Sequence, residues 1–344
     1  VVSRARLEVP SAGVVLGVET SCDDTAVAVL VDGSVRANVV RSQAALHAPF
    51  GGVVPEVAAR AHDAAIVEVV DEALSEAGIE ARRLDAVCVT KGPGLPGSLV
   101  VGVAAALGIV AGLGCALVGV DHMEAHLYAA TLAGPVELPA LSLLVSGGHS
   151  ELVAIDAPGR YRLLGRTRDD AAGEAFDKVA RLLGLGFPGG PAIEEAARSG
   201  DPGAYRFARA LRNEGYALSF SGIKSEVARF LERNPAAPIA DVAASFQEAV
   251  VDVLVTKLER ALAAQRFASV VIGGGVAANG PLRERVAEVA RRYGVVAHIP
   301  PRALCADNAA MVAAAGSARL LIGEVARDGL DIEPTRSLVG DDED

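Results

Sequence analysis

Apolar and polar residues follow one another in blocks along the chain, and the period of the blocks changes. Val14 to Val18 is a short apolar run. It gives way to the polar stretch Glu19-Thr-Ser-Cys-Asp-Asp-Thr25, after which Ala26 to Val31 is apolar again and ends at Asp32-Gly33. The pattern predicts strand, polar turn, strand and a second turn. Leu141 to Val145, Ser146-Gly-Gly-His-Ser150 and Leu152 to Ile155 repeat that order. Each hairpin opens one half of the chain, which points to an internal duplication.

Between the hairpins, Glu56 to Ala77 has helical period and Ala86 to Thr90 reads as a buried strand. The loop Lys91-Gly-Pro-Gly-Leu-Pro-Gly97 then leads into a helix near Ser98. In the second half, Asp241 to Gln265 predicts a long helix and Ser269 to Ile272 a strand. Gly273-Gly-Gly275 leads through Asn279 into a helix over Pro281 to Tyr293. Val295 to Ile299 is a further strand and Asp307 to Leu321 a closing helix. Strands alternating with helices indicate an α/β fold. The expected organisation is a first lobe over 13–139, a second over 140–330, a boundary near Pro139 and a cleft between them. The packing of the closing helix 307–321, on the first lobe or elsewhere, stays open. Residues 1–12 and 331–344 read as flexible ends, the last of them an acidic tail from Gly340 to Asp344.

Length and composition agree with two buried cores: the chain has 344 residues, of which 51% are hydrophobic. Leu99 to Val120 carries no charge and is long enough to span a bilayer. Its glycines and the lack of a basic flank favour a buried helix from Leu99 to about Leu113 and a strand over Ala116 to Val120. No membrane partner is expected, and the amino terminus lacks the apolar core of a secretory leader. Cys22, Cys88, Cys115 and Cys305 form no Cys-x-x-Cys pair, which fits a reducing cytoplasm. A net charge of -11 argues against a stand-alone nucleic-acid binder. Two basic stretches, Arg160 to Arg168 and Arg206 to Arg212, soften that argument; they are either solvated faces or phosphate contacts.

Candidate chemistry falls in two places. Ser146-Gly147-Gly148, Pro188-Gly189-Gly190-Pro191 and Gly273-Gly274-Gly275 are loops through which backbone N–H groups can approach a phosphate, because no Cβ intervenes. None is a Walker A or a Gly-x-Gly-x-x-Gly sequence, and each singly also suits a tight turn. Asn279 follows the third loop. The second place is His122-Met-Glu-Ala-His126. Two histidines four apart share a helix face and can grip one metal ion, or they are two ordinary histidines near a helix start. Glu124 points to the opposite face, unlike the glutamate of a His-Glu-x-x-His peptidase. Asp307 is the best third ligand and also a candidate cap for the closing helix. Two imidazoles and a carboxylate suit iron or zinc, Fe2+ or Zn2+.

These residues carry a family resemblance from about Val14 to about Leu321. The landmarks are Gly17-Val-Glu-Thr-Ser-Cys-Asp-Asp-Thr25, His122-Met-Glu-Ala-His126, Val145-Ser-Gly-Gly-His149 and Asp169-Asp-Ala-Ala-Gly-Glu-Ala-Phe-Asp-Lys178. Phe187-Pro-Gly-Gly-Pro191, Phe220-Ser-Gly-Ile-Lys224, Gly273-Gly-Gly-Val-Ala-Ala-Asn279 and Cys305-Ala-Asp-Asn-Ala-Ala-Met311 complete them. The chain resembles the TsaD (formerly Gcp) family of tRNA N6-adenosine threonylcarbamoyltransferases. The resemblance implies the ASKHA fold of actin-like ATPases, Hsp70 and sugar kinases. It implies a metal on His122, His126 and Asp307, and substrate contacts from Leu144, Val145, Ser146, Gly147, Gly148, Asp177, Gly190 and Asn279. It also implies transfer from threonylcarbamoyl-AMP, an adenine nucleotide, to adenosine 37 of tRNA. The partners it implies are a paralogous dimerising subunit (TsaB-like) and a small P-loop ATPase (TsaE-like). Asp23 and Asp24 are possible general bases. An ASKHA kinase or ATPase, a small-molecule carbamoyltransferase and a non-enzymatic scaffold are the rival readings.

Overall fold

The apolar run Val14–Glu19 is buried along its whole length, as a strand covered on both faces must be. It forms the central strand β1 of a five-stranded sheet in the computed structural model, which describes residues 5–327 and 329–339. β2 (Asp24–Val31) pairs antiparallel with β1, and β3 (Ser34–Ser42) pairs antiparallel with β2. On the other side of β1, β4 (Ala86–Gly92) and then β5 (Ala116–Asp121) run parallel to it. Parallel neighbours need long connections, and helices α1 (Pro55–Ala77) and α2 (Pro96–Leu113) provide them. Each of these helices starts with proline and stops at a glycine in the left-handed region, Gly78 (φ 64) and Gly114 (φ 72). β5 runs directly into a short helix, α3 (His122–Ala129).

The second half repeats this plan. β6 (Ala140–Val145), β7 (Ser150–Ala157) and β8 (Arg160–Arg166) form an antiparallel meander. Helices α4 (Ala172–Leu182), α5 (Gly189–Ala197), α6 (Ser221–Arg233) and α7 (Ile239–Ala264) come next. β9 (Ser269–Gly273) then pairs parallel with β6, and after α8 (Gly280–Tyr293) β10 (Val296–His298) pairs parallel with β9. The orders β3-β2-β1-β4-β5 and β8-β7-β6-β9-β10 match strand for strand, in sequence order and in sense. The duplication suggested by two hairpins therefore extends to both sheets.

Contacts gather the chain into two units. One holds Glu137–Ala306; the other holds Leu7–Val136 and the described residues from Asp307 to Val339. In the first, Leu141, Leu143, Val145, Val270 and Ile272 pack beneath helices, with Phe176 and Phe246 edge to face at 5.2 Å. In the second, Leu16, Val18, Val27, Val29 and Val87 pack against Ile66, Val69 and Val103 of α1 and α2. The uncharged helix α2 is long and apolar enough to cross a membrane. The expected buried helix is buried along one face only: Ser98, Leu99, Gly102, Val103 and Ala106 are covered, while Val100 and Leu113 are exposed.

The closing helix α9 (Ala309–Leu321) lies on the opposite face of the N-terminal sheet from that core. Its sequence AAMVAAAGSARLL is mostly small residues, and Ala309 to Ser317 are all buried. Small side chains let helix and sheet come close. A Cβ on Gly17 would lie 2.3 Å from the Ala309 carbonyl oxygen, and one on Gly316 would lie 2.3 Å from Cys88 Sγ.

Two expectations are corrected. Asn308, not Asp307, caps α9: its Oδ1 accepts a hydrogen bond from the Met311 N–H at 3.1 Å. The stretch 331–339 is not loose. Lys91 Nζ meets Glu333 Oε1 at 2.6 Å, Arg336 Nε donates to Asp121 Oδ2 at 2.9 Å, and Arg336 also pairs with Glu333. Leu7, within the expected amino-terminal arm, is buried. The acidic tail Gly340 to Asp344 and the first four residues of that arm lie outside the described residues.

The approach of α9 predicts an outcome for Gly17→Ala. The added methyl must move helix backbone, and the variant is expected to lose about 1–3 kcal/mol, read as a lower urea midpoint. A midpoint equal to that of the parent protein would contradict the packing.

Candidate active site

The metal-type residues gather in the N-terminal unit. Asp121 ends β5 and caps α3: its Oδ1 accepts from the N–H groups of Met123 (2.8 Å) and Glu124 (3.1 Å). The helix so started puts His122 and His126 on one face, with ring centroids 4.6 Å apart. Asp307, just before α9, brings Oδ1 to 3.5 Å from His122 Nε2 and 3.3 Å from His126 Nε2. One ligand atom from each of the three residues lies within 4.8 Å of the others. Glu124 faces away, as its spacing requires, and accepts from Arg319 Nε at 2.6 Å. That ion pair ties α3 to α9, the helix that follows Asp307.

Behind His122 stands a residue that the sequence reading left unassigned. Glu19, fully buried at the end of β1, has Oε2 3.0 Å from His122 Nδ1. It also accepts from Thr90 Oγ1 at 2.7 Å and from the Ser21 N–H at 2.5 Å. Burial pushes the Glu19 carboxyl up, but attraction to His122 and these hydrogen bonds outweigh it and hold the group below its ordinary value. A carboxylate on Nδ1 fixes the tautomer and leaves the Nε2 lone pair for a ligand. The signal in the sequence was a lone glutamate ending an otherwise apolar strand.

The donor set fits a divalent ion. Both nitrogens of His126 are buried and make no hydrogen bond among the described residues, which is rare for an imidazole without a further partner. Two Nε2 atoms and a carboxylate oxygen make a three-donor site that leaves coordination positions for substrate. Close by in sequence to Glu19, Asp23 is raised by burial, and Asp24 is pushed up to about 7 by burial and by repulsion from Asp307, Asp23 and Glu19. Burial likewise raises the Cys22 thiol.

The remaining predicted residues belong to the C-terminal unit. Leu144 and Val145 end β6 with buried side chains, so only their backbone can meet a ligand. Ser146 closes a turn, its N–H donating to the His149 carbonyl at 2.8 Å and its Oγ accepting from the His149 N–H at 3.1 Å. Asp177 on α4 accepts from the Gly189 N–H at 2.7 Å, which sets the start of α5 and the position of Gly190. Asn279 caps α8, its Oδ1 accepting from Leu282 N–H at 3.1 Å and its Nδ2 donating to Gln247 Oε1 at 2.7 Å.

The glycines of these loops divide into two kinds. Gly274 (φ 87) would put a Cβ 2.4 Å from the Val145 carbonyl oxygen, and Gly189 would put one 2.5 Å from Asp177 Cα. Packing alone demands those two. At Gly147, Gly148, Gly190 and Gly275 a Cβ would meet nothing within 4 Å. Nothing inside the unit requires glycine there, which fits backbone kept bare for something outside it.

His122 gives a pH test of the Glu19 contact. Burial disfavours its charge, but Glu19 and Asp307 raise it from 6.5 to about 9. A folded value above the unfolded one stabilises the fold fully below about 6.5, and the contribution is lost as pH climbs through about 9. Chelator-treated protein is expected to melt at lower temperature at pH 9.5 than at pH 6.5, with a smaller drop in Glu19→Gln. An equal drop in both proteins would argue against the pairing.

The chain is similar to known proteins in sequence and in fold. The family model for tRNA N6-adenosine threonylcarbamoyltransferase matches residues 34–314. A protein of that name from Geobacter sp. (strain M21) is 49% identical over 325 residues, spanning 93% of this chain and 95% of the relative. Another from Desulfitobacterium hafniense (strain Y51) is 50% identical over 331 residues, spanning 94% and 97%. Among solved structures, HypF from T. kodakarensis superposes with a TM-score of 0.60 at 16% identity, over 93% of this chain and 49% of that one. An activator of 2-hydroxyisocaproyl-CoA dehydratase from Clostridium difficile, with bound ADPNP, gives 0.55 at 15% identity, over 92% and 100%. Those two likenesses establish the ASKHA fold. The sequence matches establish more: the chain belongs to the family of tRNA N6-adenosine threonylcarbamoyltransferases.

Proposed function

We propose that the protein transfers the threonylcarbamoyl group from threonylcarbamoyl-AMP to the N6 amine of adenosine 37 in tRNAs reading ANN codons. The products are N6-threonylcarbamoyladenosine and AMP. The amine nitrogen bonds to the carbamoyl carbon, the bond from that carbon to the phosphate oxygen breaks, and the amine gives up one proton. That amine is a weak nucleophile, because its lone pair is delocalised into the purine ring. Catalysis therefore rests on positioning and on stabilising charge at the carbamoyl oxygen.

The convergence of His122, His126 and Asp307 in a member of this family carries the reading. One divalent ion, Fe2+ or Zn2+, held there would supply Lewis-acid polarisation and a template for the threonyl or carbamoyl oxygens. Glu19 orients His122 for that task. The bare backbone at Gly147, Gly148 and Gly190 donates N–H groups to the adenylate, with Ser146 closing the first turn, Asp177 holding the second loop and Asn279 starting the helix after the third. Asp24, raised to about 7, suits proton acceptance near neutral pH. AMP is a stable anion and leaves without a proton donor. A kinase or ATPase would give the histidine pair no task. The net charge of -11 supports tRNA binding shared with partner subunits, a paralogous dimerising chain and a small P-loop ATPase. The free thiols fit a reducing cytoplasm.

Depleting the protein from cells is expected to remove threonylcarbamoyladenosine from tRNA, measured by nucleoside mass spectrometry; an unchanged level would refute the assignment. In vitro, His126→Ala is expected to lose bound metal and at least about 100-fold in transfer rate. Full transfer by metal-free His126→Ala would rule out the metal-assisted route. Glu19→Gln is expected to weaken metal binding about 10–100-fold in a competitive chelator titration.

A further inference from the structure

Two basic stretches far apart in sequence meet in the C-terminal unit. The Leu218 N–H donates to the Arg166 carbonyl at 3.1 Å, and the Arg168 N–H donates to the Leu218 carbonyl at 2.9 Å. Thr167 and Leu218 thus form a parallel bridge. It lays the end of the 160–168 stretch along the loop that leaves the 206–212 stretch. Gly165 makes the approach possible, since a Cβ there would sit 2.4 Å from the Tyr216 carbonyl oxygen. Arg166, at the end of β8, and Arg168, two residues further on, are both exposed.

The loop between them and α7 is folded around cations. Lys257 Nζ donates to the carbonyls of Leu211 (2.5 Å), Glu214 (2.5 Å) and Gly215 (3.2 Å). Arg260 donates to the carbonyls of Gly215 (2.7 Å) and Arg212 (3.2 Å). Carbonyl dipoles solvate these charges without cancelling them. Arg209, Arg212 and Arg285 share the single carboxylate of Asp252, with Glu248 as a second partner for Arg285. Arg166, Arg168, Lys257 and Arg260 make no ion pair with a carboxylate among the described residues. Lys257 is pushed down to about 8 by burial and by repulsion from Arg260 and Arg168, as expected where positive charge accumulates. The nearby Asp169 is occupied at the start of α6, accepting from Ser219, Phe220 and Ser221. Glu151, opposite Arg166 on β7, and Glu214 in the loop are the acidic neighbours.

We propose that this face, built from Arg166, Arg168, Arg212 and Arg260 over the buried Lys257, is a docking surface for the phosphate backbone of the RNA substrate. It rests on the tRNA-modifying function proposed above and adds where the RNA is held. Guanidinium forks suit phosphate oxygens, and a concentration of unneutralised cations on a chain of net charge -11 attracts a polyanion to one place. Contacts to phosphate position RNA without reading its sequence, which suits an enzyme acting on several tRNAs.

The test uses the full chain and a tRNA transcript with adenosine at position 37, with binding followed by fluorescence anisotropy across a salt series. Arg166→Gln/Arg168→Gln changes exposed side chains only, so the fold should survive, as melting curves will show. Its affinity is expected to fall about tenfold at low salt, and the slope of log K against log salt to flatten by about 1.5. Arg36→Gln, on β3 of the other unit, should match the parent chain. Equal affinity and slope in the double variant, or no RNA binding by the parent chain, would overturn the proposal. So would a double variant that keeps RNA but loses poly-glutamate, which would mark the face as one for an acidic protein. Threonylcarbamoyl transfer at saturating tRNA separates this idea from the function. Parent protein that binds RNA through these arginines yet never transfers would sink the enzyme reading alone.

Discussion

The N-terminal unit depends on one close approach, that of helix α9 to the inner strands of its sheet. The helix reaches backbone distance because Gly17 and Gly316 lack side chains at the crossing and because small residues fill most of its length. Ordinary side chains would hold helix and sheet about 10 Å apart, as they do between packed layers elsewhere. Depth of seating matters because the residue two before the helix is Asp307. Once α9 is seated, the Glu124–Arg319 ion pair ties it to α3, and the Asn308 cap fixes where it starts. A carboxylate more than 180 residues from the histidines in sequence thereby reaches both Nε2 atoms.

The two sheets share strand order and sense, but the halves have diverged in what they offer. In the N-terminal unit, the hairpin after β1 carries carboxylates, with Glu19 beneath an imidazole and Asp23 and Asp24 raised by burial. In the C-terminal unit, the hairpin after β6 carries Ser146, Gly147 and Gly148 and offers main-chain N–H groups. One topology thus presents carboxylates in one copy and glycine backbone in the other.

Much of this was legible in the sequence. The strands and long helices follow from burial period, and the i, i+4 histidines needed only helix geometry. Boundaries moved by a residue or two where a proline or glycine set them, as at Pro55, Pro96 and Gly280. What sequence could not give was partnership across distance. Asp307 and Asn308 are adjacent and both suit a cap; only the fold shows the cap falling to Asn308. Glu19 looked like the first polar residue of a turn until Thr90 of β4 and His122 of α3 arrived. Asn279 suggested a ligand contact, and its side chain is engaged with Leu282 and Gln247. The stretch 331–339 has no periodicity, because it is held by scattered side-chain pairs, two backbone hydrogen bonds to the 91–94 loop and one apolar contact from Ile332.

The chain's return to its starting unit has a consequence for synthesis. The N-terminal unit is begun first by the ribosome and finished last. Its central sheet, its histidine helix and Glu19 all emerge before Glu137, yet Asp307, α9 and Arg336 follow only after the whole second unit has been made. A nascent chain therefore exposes the apolar face that α9 will cover throughout translation of the intervening residues. Any ion must also wait for its third ligand until then.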